Sequence, residues 1–460
     1  MNSPIRSERI EKEGTVLFDT IRRLIRRKAV DNLLKLINKT HPADLARVFR
    51  HLTPEERQNV FNIVAQTQHV GEVLSELDQS IMVELVGELT PKFMVSVIDK
   101  MAADDAADLL EALSGELADE IRQLMAISDR QEVDELLQYD SESAGGLMSP
   151  NFLALDEETT VGDAVKSIQE KSEKLEMVFY LYIVREGNHL TGVLSLRELL
   201  MHPPYRLLKN IMNPKVIAVS SETDQEEVAH VVSRYNILAV PVVDSSFNLI
   251  GIITVDDVID VIRQEATEDF FQMAGAGKDD EILLKSTMSN ALTRAPWLFA
   301  SCVGGVLAIV VIAYFKAELE KVVTLAAFIP IIVGMGGNIA TQSSTIIVRG
   351  IATGRINLQE ISKVIYKEFR VGTILGTIYG CLIGAVAYFG YPETARLGIV
   401  VGISVVFVMI LATTVGSIVP LTLKKLNIDA AIATGPFVTT SIDILGVIAF
   451  FSIAKYFLGL

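Results

Sequence analysis

AAIATGPFVTTSIDILGVIAFFSIAKYFL, residues 430–458, decides the reading of this chain. It is long and apolar enough to cross a bilayer, since about 20 apolar residues at 1.5 Å each span the hydrocarbon. Yet Asp443 stands near its middle. An ionised side chain at that depth costs roughly 2.5–3.5 kcal/mol on insertion scales, and such residues are rare outside ion or substrate paths. Four similar stretches precede it, about 296–315, 322–348, 371–389 and 397–423, and none contains a Lys, Arg or His that would neutralise Asp443. The sequence therefore predicts an all-α transmembrane domain of five helices over 291–460.

Loop charge orients it. The connection 349–370 carries Arg349, Arg355, Lys363, Lys367 and Arg370, and 424–429 carries Lys424 and Lys425, whereas 390–396 has one Arg and one Glu. Basic loops stay on the cytoplasmic side, so the residues before the first span are expected in the cytoplasm and the C-terminus outside it. The start MNSPIRSERIEKEG has no apolar h-region, so no signal peptide is expected either.

Charge separates the two halves. Residues 1–295 hold 50 of the 57 acids and 30 of the 41 bases, a net −20, while the remainder is +4. A soluble acidic module joined to a membrane module fits this division. The excess repels phosphate, which argues against nucleic acid as a partner, and attracts divalent cations. Only Cys302 and Cys381 occur, both in apolar stretches, so neither a disulfide framework nor a thiolate metal cluster is expected. All six histidines lie in the soluble half, which speaks against an imidazole-lined metal path. Nothing resembles a phosphate-binding loop or a hydrolytic triad, so the chain is not expected to be an enzyme.

Behind a tail at 1–20, residues 21–140 have helical periodicity throughout. ADLARVFRHLTPEE (43–56), MVELVGELTPKF (82–93) and AADLLEALSGELADE (106–120) look like copies of one unit. Thr53-Pro54 and Thr90-Pro91 supply an N-cap followed by proline at the first helical position, ending one short helix and starting the next. An all-α superhelical repeat domain is predicted. A second kind of repeat fills 141–264. Met148-Ser-Pro150 and Met212-Asn-Pro214 each open a strand, helix, strand, strand, helix unit, about 148–205 and 212–264, closed by GVLSLREL (192–199) and GIITVDDV (251–258). This resembles an α/β tandem pair of cystathionine β-synthase-type (CBS) domains, regulatory modules that sense adenine nucleotides or ions.

Carboxylates cluster along this half. Asp104 and Asp108 are four apart on one helix, Asp224 and Glu226 flank the start of another, and Asp257, Glu265 and Glu268 share a face if 257–269 is helical. Like charges on one face repel unless solvated or neutralised, and hard cations such as Mg²⁺ or Ca²⁺ take oxygen ligands. The connector, 265–290, continues this run as an amphipathic helix until AGAGKDD breaks it. In the membrane half, Asn338, Thr341, Gln342 and Thr345 share one face of the second span, while Thr439 and Thr440 lie near Asp443 in the fifth, with Pro436 loosening the helix before them.

Domain order, together with PIIVGMGGNIATQSSTIIVRG (330–350) and NIDAAIATGPFVTTSIDILG (427–446), resembles the MgtE family of magnesium channels and transporters over essentially the whole chain. The resemblance implies a homodimer in the plasma (inner) membrane bilayer, its pore on the two-fold axis between the second and fifth spans. Asp443 matches the central Mg²⁺-binding aspartate, and Asp429 the acid near the cytoplasmic end of the fifth span. The pore set is then Asp443, Asp429, Asn338, Thr341, Gln342, Thr439 and Thr440. The regulatory Mg²⁺ carboxylates match Glu72, Asp104, Asp108, Asp224, Glu226, Asp257, Glu265, Glu268 and Asp269. Asn236 stands where a further acid is looked for. Family nucleotide binding, ATP above all, maps to Tyr180 and Glu198, with Ile237 at the place of a stacking aromatic. The expected function is Mg²⁺ uptake gated by cytosolic Mg²⁺. The alternatives are secondary transport of another divalent metal, or an ion or nucleotide sensor without transport.

Overall fold

A computed structural model describes residues 16–171, 178–277, 286–356, 360–392, 395–426, 428–433 and 435–459. Most of the 1–20 tail, the connector from 278 to 285, and parts of the loops 349–370 and 390–396 lie outside these residues. Contacts divide the chain into two units, Met1–Ile262 and Arg263–Leu460.

The first unit begins with short helices: α1 (16–26), α2 (Val30–Ile37), α3 (Pro42–Phe49), α4 (Pro54–Val64), α5 (Val70–Ser75), α6 (Gln79–Val86), α7 (Pro91–Ile98), α8 (Ala103–Ala112), α9 (Gly115–Leu124) and α10 (Ile127–Leu136). From α2 onward each packs against the next but one, so even-numbered and odd-numbered helices form two rows. Turn chemistry sets the lengths. Thr53 makes a reciprocal capping box with Glu56 and Pro54 opens α4; at Thr90 only the proline half of the signal operates, because its hydroxyl makes no cap bond. Phe49, Phe61, Leu74, Leu85, Met94 and Leu109 fill the space between rows, each 0 % exposed. Arg22–Glu56, Arg50–Asp78 and Arg57–Glu84, each 2.8 Å, stitch successive turns along the outside.

The CBS-type pair follows, with β1 (Ala154–Asp156), α11 (Val161–Lys171), β2 (Tyr180–Arg185), β3 (His189–Ser195) and α12 (Leu196–Met201), then β4 (Val219–Ser220), α13 (Gln225–Tyr235), β5 (Ala239–Val243), β6 (Leu249–Thr254) and α14 (Val255–Met273). The two sheets have the orders β1-β2-β3 and β4-β5-β6, each with one parallel and one antiparallel pairing. Each is bulged at the same place in its middle strand, at Ile183/Val184 and Val242/Val243. The two openings cross over. Met212 packs on Gly192 of the first copy and Met148 on Gly251 of the second, so closely that a Cβ on either glycine would lie 2.4 or 2.6 Å from the methionine sulfur. The glycine that leads each closing strand is there for its partner copy's methionine.

The second unit holds the five long apolar helices: α15 (Thr287–Tyr314), α17 (Ile329–Ala352), α18 (Ile361–Gly390), α19 (Ala395–Lys425) and α20 (Pro436–Leu458), with a short α16 (Lys316–Lys321) between the first two. These helices are longer than the apolar stretches that announce them. Arg349 and Lys363 to Arg370 are therefore helical and not loop residues. Glycines at every fourth position of α18 set its seam with α19: a Cβ at Gly376 would meet Val406 Cα at 2.9 Å, at Gly380 the Gly402 carbonyl at 2.7 Å, and at Gly384 the Gly398 carbonyl at 2.8 Å. Backbones approach this closely only where side chains are absent.

Candidate ion path and regulatory carboxylates

Proline at the first turn starts α20, and Asp443 lies two turns further on. Its carboxylate points at the neighbouring pore-candidate helix: a Cβ on Gly337 of α17 would stand 3.9 Å from Asp443 Oδ1. One residue along, Gly336 admits Ile442 and Val408, whose methyls would lie 2.8 and 2.9 Å from a Cβ there. The Gly-Gly step thus brings α17 against α20 where the carboxylate sits. Lys455, in the same helix, is committed elsewhere, 2.6 Å from the buried Glu318 of α16, and this bond holds the Glu318 carboxyl below the usual carboxylate range.

Beside Asp443, α17 presents a polar stripe. Asn338 and Gln342 are exposed on the single chain, with Thr341 and Thr345 half-buried next to them, while Gly336, Gly337, Ile339, Ala340, Ser343 and Ser344 turn inward. An amide-bearing face open to its surroundings on a helix of membrane length is costly in lipid. The hydroxyls are less available than the sequence suggests. Thr341 donates to the Gly337 carbonyl at 3.0 Å, and Thr439 to the Gly435 and Pro436 carbonyls at 3.3 and 3.2 Å. Thr440 bonds the Pro436 carbonyl and packs on Gly304 of α15, a different face from the one Asp443 shows to α17. Asp429 is exposed just before α20 and accepts from the Ala431 amide at 2.8 Å.

The end of α14 is seated against the start of α20. A Cβ at Gly435 would be 3.5 Å from the Met273 carbonyl and one at Gly275 would be 3.4 Å from Pro436; Met273 also packs with Val348, Ala430 and Ala431. Gln272 is fully buried there and donates to Glu268 at 2.6 Å. Glu265, Glu268 and Asp269 share α14 with Asp257, as the helical reading of 257–269 requires.

One carboxylate of this half escapes the sequence reading. Glu368 lies just before the apolar run that begins at 371, but α18 starts at Ile361 and carries it into the helix bundle, where it is 7 % exposed and accepts from Ser343 Oγ at 2.8 Å. Its only sequence signal is an acid one turn before Gly372 on the glycine face.

In the first unit, Asp104 is buried and Asp108 is exposed. The protein nevertheless crowds the Asp108 carboxyl enough to push it up to about 6, burial acting first, then the charges of Glu111 and Asp257. Helix α8 and the start of α14 therefore bring Asp108 and Asp257 within each other's field. Asp224 caps α13 by accepting from the Glu226 amide at 2.9 Å, and Asp257 accepts from the Thr254 amide at 3.2 Å. Glu72 is exposed, 3.3 Å from His69. Among the described residues no three His, Cys, Asp or Glu side chains converge on one point.

Tyr180 lines a cavity of ≈ 630 Å³ with Phe179, Ser195, Arg197 and Leu238. Glu198 does not line it; its carboxylate caps α12, accepting from Ser195 N and Oγ at 3.1 and 2.8 Å. Phe179, the neighbour of Tyr180, is an aromatic that lines this cavity.

Comparison with known proteins finds matches to both halves of the chain. The family model MgtE, a divalent cation transporter, matches residues 329–453, the MgtE intracellular N domain matches 40–142, and the CBS domain matches 144–204 and 208–264. The chain is similar to the magnesium transporter MgtE of Bacillus subtilis, 34% identical over 95% of this chain and 96% of that one. It is 37% identical to the magnesium transporter MgtE of Thermus thermophilus over 93% of this chain and 95% of that one. A crystal structure of the cytosolic domain of the Mg2+ channel MgtE in complex with ATP aligns with a TM-score of 0.51 at 33% identity, covering 53% of this chain and 99% of that one.

Proposed function

The chain belongs to the MgtE family, and we propose on that premise that it carries Mg²⁺ across the plasma membrane along a path lined by α17 and α20. The observation that carries this reading is the open polar face of α17, Asn338 to Gln342, beside Asp443. A second copy related by a two-fold axis would cover that face and set two Asp443 carboxylates opposite one Mg²⁺. Two single charges balance the ion, and the amides can hold its water, since Mg²⁺ sheds its shell reluctantly. The membrane potential drives entry, about 4.6 kcal/mol per divalent ion at 100 mV. In this reading the N-terminal unit is cytoplasmic, the C-terminus is outside, and Asp429 marks the inner mouth.

The same premise assigns regulation. Asp104, Asp108, Asp224, Glu226, Asp257, Glu265, Glu268, Asp269 and Glu72 act as a cytosolic Mg²⁺ sensor: bound cations cancel carboxylate repulsion and favour the closed channel. The mutual crowding of Asp108 and Asp257 and the seating of the end of α14 beside Gly435 and Pro436 support it. Shifting such an equilibrium from 1:99 to 99:1 needs about 5.5 kcal/mol, which several weak sites supply together. ATP is the regulatory nucleotide, stacked by Phe179 and Tyr180 with Arg197 toward its phosphates. The test is Mg²⁺ flux into proteoliposomes. Wild type should conduct and Asp443→Ala should not, with dimer and fold retained; flux of another divalent metal at equal rate, or conduction by Asp443→Ala, overturns the reading.

A further inference from the structure

A buried carboxylate bonded to a serine of another helix needs a reason to be there. Glu368 lies where three membrane helices meet: on α17, Ala340 opposes Gly416 of α19, at 2.5 Å from a Cβ built on that glycine, and Ser343 follows one turn later. On α18, Gly372 lies one turn beyond Glu368 and faces Thr413 and Met409 of α19. Ser343, Ser344, Thr413 and Ser417 are all between 0 and 2 % exposed, and Glu368 is 7 % exposed among them. Thr413 and Ser417 satisfy their hydroxyls on carbonyls of their own helix, at 3.0 and 2.7 Å. Ser343 instead crosses to α18 and donates to Glu368 Oε2 at 2.8 Å. The glycines lock α18 closely to α19, whereas α17 packs on α19 and α20 and is tied to α18 by this bond. A hydrogen bond to a carboxylate is directional and strong enough to fix the rotation of the helix that donates it.

We propose that Glu368 is a positioning residue for transport: by holding Ser343 it sets the rotation of α17, and so the direction in which Asn338 and Gln342 face. Ser343 is five residues from Asn338 and one from Gln342, about 140° and about 100° around the helix from them, so a turn of the anchored face is a turn of the polar one. This rests on the reading that α17 lines the Mg²⁺ path. It requires an acceptor at position 368 and does not require its charge.

Full-length protein in proteoliposomes tests it. Glu368→Leu and Ser343→Ala should each lower Mg²⁺ flux about tenfold, the scale of a lost bond to a charged acceptor, and the double variant should be no worse than either single one. Glu368→Gln keeps an oxygen that Ser343 can reach and should retain most of the flux and the wild-type preference for Mg²⁺ over Ca²⁺. Ser343→Ala removes a single hydroxyl, so the comparison survives if Glu368→Leu does not fold. Wild-type flux in Ser343→Ala, additive losses in the double variant, or a Glu368→Gln protein as impaired as Glu368→Leu would each overturn the proposal. Conduction by Asp443→Ala points instead to failure of the path itself.

Discussion

Asp443 and Glu368 both place a carboxylate on a membrane helix, and they sit differently. Asp443 looks across at Gly337 beside an open, amide-bearing face; Glu368 is enclosed in a three-helix seam and bonded to a serine. The first is half-buried beside exposed amides, the second has a partner. Burial of an acid at membrane depth therefore does not by itself identify an ion site. What surrounds its oxygens does.

The comparison breaks most sharply at Asp443. Asp443→Asn keeps the shape and removes the charge, and Mg²⁺ flux should fall about 10–100-fold, the usual cost of disturbing a metal's ligands; wild-type flux would put Asp443 in the same class as Glu368. The seam gives the next effect. Gly380→Val would drive a side chain into the Gly402 carbonyl, and α18 should separate from α19, with a loss of about 1–3 kcal/mol in thermal unfolding of the detergent-solubilised protein; an unchanged midpoint would mean that the seam is not close-packed.

A third test contrasts the membrane acids with the cytosolic ones. The Asp108 carboxyl is pushed up to about 6 from an ordinary 3.8, so the folded protein binds its proton more tightly than the unfolded chain does. Stability from this group is then full below about pH 4 and is lost as pH rises through about 6. In Mg²⁺-free buffer Asp108→Asn should match wild type at pH 4 and be more stable at pH 7.5, by about 1 kcal/mol, kept small by the exposed edge of the residue. Added Mg²⁺ should stabilise wild type more than the variant; equal stabilisation would remove Asp108 from the sensor. The smallest effect belongs to the repeat domain, where Thr53→Ala opens a capping box and should cost about 1 kcal/mol without altering flux.

How much of this was legible beforehand differs by element. The two CBS-type copies were legible because their strands, glycines and Met-x-Pro openings recur in register, but not that each opening packs on the other copy's glycine strand. The α17–α20 relation was legible as motifs, whereas the turning of Thr440 toward Gly304 was not, because a helical wheel gives angles and not neighbours. Glu198 was legible as a match to a family position, but its capping of α12 and the place of Phe179 beside Tyr180 in the cavity were not.

Sequence by itself determined the division of the chain: charge density, apolar length and repeat spacing are local quantities, and they suffice to separate a repeat domain, a CBS-type pair and five membrane helices with an acid in the last. Only the tertiary structure decided which face each polar residue shows and to whom. Glu368 lay outside the apolar window, and its burial comes from glycines at every fourth position of α18, which draw α19 in and enclose whatever lies on the same face. That enclosure depends on residues far apart in the chain, through packing that no window of sequence contains.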